Sequence, residues 1–568
     1  MEYVKGPDRW GPTPVGFLDV PANLRLDPAG DARYGPAWEF ALRRLTDVRR
    51  MTAGCSLLIL AMGLAAACSG PGSTAPTADP TLVKVADGTL KGRASGDVRT
   101  FLGIPYAAPP VGPLRWRAPQ PPARWTGTRP ATAPAGRCPQ SFLQTSTAAS
   151  TTEDCLFLNV WAPMHTRPNV PVMVWIHGGG FTTGSGSDYD AGLLVQKGRV
   201  IVVTINYRLG PLGFLDLPAL AAEAPDRSAG MYWLEDQQAA LRWVQRNVAA
   251  FGGDAHNVTI FGESAGGQSV CYHLASPLSA GLFERAITES GPCADRTQTA
   301  AAAQAAGTRF AQQVGCGDPA TVLTCLRGIA ASTLVAEPFS GTNVIEPWTP
   351  NVDGVELESP VVAALSSGAF NHVPTIEGTN HDEYRLFVAL FFDDRGGPVT
   401  AAQYETTIRT TFAGRAQQVL DQYPLSAYAS PSLALSTVVT DSFFACPARS
   451  ADQALAAVVP TYAYEFSDPN APPLLPDPVM PMGASHASEL TYVFPRALSG
   501  LTSAQRALSD RMVGYWTTFA ARGVPGGSGD PAWPRYTASS DQFLELTPAG
   551  PQAGSGFARD HRCSFWTP

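Results

Sequence analysis

Three short stretches carry residues that together could perform acyl transfer. Gly262-Glu263-Ser264-Ala265-Gly266 fits the G-x-S-x-G pattern, set between a strand-like apolar run at 257–262 and a helix-like run at 267–276. In such a strand-to-helix turn the serine hydroxyl is lifted above the sheet, and side chains two residues to either side would collide. Glycines remove the collisions. His177-Gly178-Gly179-Gly180-Phe181 ends another apolar run, and consecutive glycines let backbone N–H groups approach a developing oxyanion closely. Gly179 and Gly180, with the amide of Ala265, are the natural donors.

The serine needs a base oriented by an acid, in the chain order serine, acid, histidine. That order sets aside His165, His177 and His256. Of the histidines beyond Ser264, His273 falls in the helix after the nucleophile, His372 and His381 leave little room for an acid loop, and His561 adjoins Cys563 in a segment that reads as structural. His486 is left, in the glycine-containing loop PMGASHASEL. The stretch PTIEGTNHDEYRLF supplies the acid as Asp382 or Glu383, and spacing alone favours neither.

These residues need a frame. PVMVWIHGGG (171–180), VIVVTINYRLG (200–210) and NVTIFG (257–262) are unbroken apolar runs rich in Val and Ile, the pattern of strands covered on both faces of a largely parallel sheet. Between such runs, Leu234, Leu241, Val244 and Val248 recur at helical spacing before Gly252, as do Leu508, Met512, Tyr515, Trp516 and Phe519 between Ser503 and Gly523. Strands alternating with helices predict an α/β fold with its chemistry on loops beyond the strand ends.

The motifs extend over nearly all of 81–568: FLGIPYAAPPVGPLRW, EDCLFLNVWAP, WIHGGGF, INYRLGPLGFL, DQQAALRWVQRNVAAFGGDAHNVTIFGESAGG, LFERAITESG and the terminal CSFW. On these the chain resembles the type B carboxylesterases, the family of cholinesterases and bacterial para-nitrobenzyl-type esterases. The resemblance implies an α/β-hydrolase fold, a mostly parallel central sheet flanked by helices, with further helical insertions forming an active-site gorge. It also separates the two acids: the family's G-x-N-x-x-E matches Gly378 to Glu383, and its H-x-x-E matches His486 to Glu489. The implied triad is Ser264, Glu383 and His486, with Gly179, Gly180 and Ala265 as oxyanion hole. Glu263 and Glu489 read equally as a polar network near the triad or as structural hydrogen bonding.

Two departures bear on specificity. The segment between Cys138 and Cys155 is short and lacks a tryptophan, which argues against a choline-binding site. Trp233 stands where the family has a small glycine, so it is expected to fill space near the gorge. The expected activity is hydrolysis of small to medium carboxylic esters through an acyl-enzyme. Amide, carbamate or lactone hydrolysis by the same triad is the alternative. A non-catalytic binding member is disfavoured by the presence of all three triad residues.

No metal or organic cofactor is expected, since no Cys/His cluster has zinc-like spacing. Among the 568 residues, 15% are charged and the net charge is -8, with no basic block to follow a phosphate backbone, so nucleic acid is not an expected partner. Residues 48–67 have the layout of a secretory signal, two arginines before an apolar run too short to favour a membrane span. Ala65-Ala66-Ala67-Cys68 resembles a bacterial lipobox with Cys68 as lipidated residue, although Ala65 replaces the usual leucine and ordinary cleavage after Ala67 stays open. Residues 1–47 read as a spurious upstream extension, 68–80 as a tether and 81–568 as the catalytic domain. Export fits the remaining eight cysteines. By the resemblance, Cys138 pairs with Cys155, Cys316 with Cys325 and Cys446 with Cys563. Cys271 and Cys293 are expected as buried thiols.

Overall fold

Neighbouring residues of a strand face opposite ways, so an unbroken apolar run is buried throughout only where both faces of the sheet are covered. The computed structural model, which describes residues 79–141, 149–165, 168–294, 296–336, 348–393, 397–495, 500–527 and 529–566, uses the run at 171–176 in this way. Val172, Val174 and Ile176 enter one apolar cluster, while Met173 and Trp175 enter the cluster on the opposite face. The predicted upstream extension, the signal, Cys68 and most of the tether lie outside the described residues.

Among the described residues the sheet has 11 strands. In chain order they are β1 (Arg93–Ser95), β2 (Val98–Pro105), β3 (Phe157–Pro163), β4 (Val170–Ile176), β5 (Ile201–Ile205), β6 (Gly253–Glu263), β7 (Arg285–Glu289), β8 (Thr375–Asn380), β9 (Thr461–Phe466), β10 (Phe543–Leu546) and β11 (Gln552–Gly554). Their spatial order is β11-β10-β9-β8-β7-β6-β4-β5-β3-β2-β1. The stretch from β10 to β5 is parallel, and antiparallel strands flank it at both ends. This is the mostly parallel α/β sheet that the apolar runs predicted.

Helices cover both faces. α1 (Tyr232–Asn247) lays Leu234, Leu241 and Val244 on the first cluster, joined there by Val270 and Leu274 of α2 (Ala265–Ala275). The predicted stop at Gly252 closes a short 3-10 extension, with φ 94° at the glycine. On the opposite face, α4 (Ser503–Arg522) presents Leu508, Met512, Trp516 and Phe519; a Thr502/Gln505 capping box starts it and Gly523, at φ 73°, ends it. α3 (Cys446–Ala456) lies between β8 and β9 in the chain. The same connection carries helices Ala401–Phe412, Ala416–Gln422 and Pro431–Val439, which build a separate apolar cluster with Tyr384 to Leu390 directly after β8. Among the described residues no helix is long and apolar enough to cross a membrane.

Disulfides join Cys138 to Cys155, Cys316 to Cys325 and Cys446 to Cys563, as expected. The expectation for Cys271 and Cys293 was wrong. They form a fourth bridge with Cα atoms 5.2 Å apart, because the parallel crossover from β6 through α2 to β7 sets the helix beside the loop leaving β7. Four disulfides are the mark of an oxidising compartment and an exported protein.

The C-terminus is held by more than sulfur. His561 places Nδ1 2.8 Å from Asp441 and Nε2 2.6 Å from Glu465, with all three side chains buried. Arg562 shares Asp441 at 3.2 Å, and the ring of His381 lies 5.4 Å from that of His561. Burial alone would lower the imidazole pKa, but the flanking carboxylates outweigh it and push the pKa up from 6.5 to about 10. A folded pKa above the unfolded one gives stability that is full below about 6.5 and fades as pH rises toward 10. His561→Gln is therefore expected to lower Tm by several degrees at pH 6, the gap narrowing as pH climbs toward 10. Calorimetry across that range checks it, and a gap that does not change with pH would mean the ring serves only as packing.

Candidate active site

The glycines around Ser264 are dictated by backbone meeting backbone. β6 ends at Glu263, Ser264 turns the chain at φ 58° and ψ -125°, and α2 begins at Ala265. A Cβ on Gly266 would lie 2.0 Å from the carbonyl oxygen of Ile176, and one on Gly262 would lie 2.5 Å from the backbone of Gly266. A non-glycine residue at such positive φ is strained and holds only where its surroundings fix it. Here the Ser264 N–H donates to the Glu289 carbonyl at 2.9 Å, and the Ser264 carbonyl accepts from Gln268 N–H at 2.9 Å.

The loop after β4 comes to the same spot. A Cβ on Gly178 would meet Ser264 Cβ at 3.0 Å. Gly179, Gly180 and Phe181 follow at φ 107°, 59° and 58°. Thr182 and Thr183 N–H both donate to the Gly179 carbonyl, and among the described residues the N–H groups of Gly179, Gly180 and Ala265 donate to no protein acceptor. His177 anchors the loop from below. Its Nδ1–H donates to the Gly178 carbonyl at 2.8 Å, its ring stacks on Tyr207 at 4.4 Å, and burial lowers its pKa to about 4, so it is neutral. Trp233 is fully buried, stacked on Phe214 and 5.1 Å from Phe181. Instead of merely filling gorge space, it supports the residue that follows the glycines.

His486 and Glu383 meet as the family pattern implied. Nδ1 lies 2.6 Å from Glu383 Oε2, and Glu383 Oε1 accepts from the Thr379 hydroxyl at 2.7 Å and from Asn380 N–H at 2.8 Å. Asp382 is engaged elsewhere, 2.7 Å from Arg385 and 3.0 Å from His381, while accepting from Ala484 N–H at 3.1 Å. The two acids leave the loop in different directions, and of the two it is Glu383 that reaches His486. Phe387 and Phe444 pack on the imidazole, with ring centroids at 4.8 and 5.4 Å.

Nε2 faces Glu263 Oε1 at 3.1 Å, but neither atom has a hydrogen-bond partner, and among the described residues none links Nε2 to Ser264 Oγ. Glu263 is thus the residue whose place at the site went unassigned in the sequence. Its signal was present, since the residue directly before Ser264 ends the strand beside it. Glu263 also sits in register with Glu289 on β7, which neighbours Gly378 on β8 and, through it, Tyr464 on β9. Burial first, then the charges of Glu383 and Glu289, push the Glu263 carboxyl well above its ordinary range. Burial and Glu263 do the same to Glu489, which accepts a hydrogen bond from Asn380, and burial raises Glu289 to about 8 even with Trp516 donating to it. In all three, burial favours the protonated form.

Among the described residues, two groups of side chains come close enough together to hold a metal ion, and both are otherwise engaged. Cys271 and Cys293 of the first are bonded to each other, and Glu465 and His561 of the second form the C-terminal ion pair. Neither contains a residue of the Ser264 constellation.

A family model described as the carboxylesterase family matches residues 79–566. Fumonisin B1 esterase of Sphingopyxis macrogoltabida is 36% identical over 500 residues, covering 85% of this chain and 89% of that protein. Para-nitrobenzyl esterase of Bacillus subtilis is 36% identical over 479 residues, with 81% and 93% covered. Human cocaine esterase is 35% identical over 513 residues, with 84% and 88% covered.

The steric reading of the turn gives a stability test. Gly266→Ala drives a methyl into a backbone carbonyl and is expected to cost more than about 3 kcal/mol. Gly328→Ala meets open space and should stay within about 1 kcal/mol of the parent. Urea unfolding of both variants measures the contrast, and equal costs would defeat the explanation.

Proposed function

The chain belongs to the carboxylesterase family and is a carboxylic ester hydrolase, and from that premise we propose that Ser264, His486 and Glu383 are its nucleophile, base and acid. The observation that carries this reading is the buried Glu383–His486 pair beside a serine held in a strained turn. Ser264 Oγ attacks the ester carbonyl as His486 Nε2, turning from Glu263, takes the hydroxyl proton. Glu383 holds Nδ1–H and stabilises the imidazolium. The N–H groups of Gly179, Gly180 and Ala265 receive the oxyanion. The imidazolium returns its proton to the departing alcohol, and water, activated by the same Nε2, releases the acid.

For substrates we propose small to medium carboxylic esters with an apolar portion, since Phe387 and Phe444 border the imidazole. The related fumonisin B1 and cocaine esterases are named for ester hydrolysis, which supports ester bonds as the target. We further infer that the enzyme is exported after removal of the signal at 48–67 and is tethered through a lipid on Cys68.

With para-nitrophenyl esters, Ser264→Ala is expected to lower kcat by on the order of 10⁴-fold or more and to abolish any burst. Glu383→Gln should lose on the order of 10³- to 10⁴-fold, and Asp382→Asn less than about tenfold. An equal loss for the two acid variants would remove Glu383 from its role, and turnover on amides alone would redirect the substrate reading. For the anchor, Cys68→Ala is expected to move activity from the membrane fraction to the medium; activity that stays with the membrane counts against lipidation.

A further inference from the structure

The Cys271–Cys293 bridge lies at a mechanically particular place. Cys271 is on α2, seven residues after Ser264, and both cysteines are 2% exposed. Cys293 belongs to the loop leaving β7, whose beginning is also the loop that fixes the nucleophile. Glu289 O accepts the Ser264 N–H, and Ser290, at φ 50°, donates its N–H to Gly378 O at 2.9 Å. Gly291 is so close that a Cβ there would lie 2.3 Å from Ser264 O and 2.6 Å from Gln268 N. Cys271 Sγ is 3.5 Å from Gly291 O, and Cys293 N–H donates to Glu377 Oε1 at 3.2 Å.

The far end of the same loop reaches the histidine. Tyr272, next to Cys271 on α2, donates its hydroxyl to Arg296 O at 3.3 Å. The Arg296 guanidinium donates to Phe443 O at 2.8 Å and lies 5.6 Å from the Phe444 ring, which packs on His486. One loop therefore touches the backbone of the nucleophile at one end and the aromatic wall of the imidazole at the other. The disulfide is the covalent link that pins this loop to the nucleophile helix.

We propose that Cys271–Cys293 is a positioning cross-link that sets the Ser264–His486 geometry through residues 290–294 and Arg296. The inference rests on the triad assignment above. Displacements of about 1 Å can cost on the order of 100-fold in rate, whereas ground-state binding of a small ester depends little on the Oγ to Nε2 separation.

The test compares Cys271→Ala/Cys293→Ala with Cys316→Ala/Cys325→Ala, a bridge remote from the triad, by kcat, KM, Tm and the rate of labelling by a fluorophosphonate. Loss of Cys271–Cys293 is expected to lower kcat and labelling rate by about tenfold or more with KM within about twofold, while the control lowers Tm alone. Arg296→Met, which keeps the bridge but releases the loop from Phe443 and Phe444, should show the same split. It decides the matter if the double variant does not fold. Parental kcat and labelling in the variant tested, beside a lower Tm, would overturn the proposal. Ser264→Ala run in parallel separates the two readings, because activity surviving there defeats the triad assignment and not the cross-link.

Discussion

Everything at the site hangs on one steric constraint, the backbone-to-backbone contact that forces Ser264 to φ 58° between β6 and α2. The turn is too tight for a Cβ at Gly262 or Gly266, and the neighbouring loops press on it closely enough that Gly178 and Gly291 lack room for one as well. Strain of this kind costs of order 1–3 kcal/mol and persists only where the surroundings over-determine it. The surroundings here are the parallel strands. β4 supplies the carbonyl that Gly266 rests on, and β7 supplies the acceptor for the Ser264 N–H. The helix that follows starts directly from the same turn, so the Ala265 N–H, in its first position, has no helical acceptor.

The parallel arrangement also explains the acids. In-register pairing puts Glu263 beside Glu289, and the loops beyond β8 and β9 add Glu383 and Glu489. Carboxylates so near one another, cut off from water, cannot all be charged. Burial raises all three of Glu263, Glu289 and Glu489, and repulsion from neighbouring carboxylates adds to it at Glu263 and Glu489. Glu383 differs in its contacts, with two donors on one oxygen and the imidazole on the other.

How much of this was legible in the sequence depended on whether the information was local. The strands at 171–176, 201–205 and 257–262 were readable because two-sided burial leaves an unbroken apolar run. The elbow was readable because its steric demand falls on residues two positions away. Glu383 against Asp382 was not decidable from spacing, since adjacent residues leave a loop in different directions and only the fold says which direction holds His486. Cys271 and Cys293 were misjudged for a related reason, as their proximity is produced by a β-α-β crossover and not by any pattern in the intervening residues. Trp233 was readable as a large residue near the site, but its load, Phe181 and Phe214, came from distant segments.

Two histidines in this fold sit between pairs of carboxyl groups, and the difference between them shows how one motif serves two ends. At His561 both neighbours make hydrogen-bonded ion pairs, at 2.8 and 2.6 Å, and the result is an imidazolium that ties the last residues to the body. At His486 only Glu383 is hydrogen-bonded. Glu263 stands 3.1 Å from Nε2 without a hydrogen bond to it, and burial, with the charges of Glu383 and Glu289, pushes its carboxyl well above its ordinary range and so disfavours a second anion there. A second charged carboxylate at that point would favour the doubly protonated ring, a form that cannot accept a proton from Ser264. Under the proposed roles of Ser264 and His486, burial of Glu263 serves the chemistry and is also a consequence of the sheet.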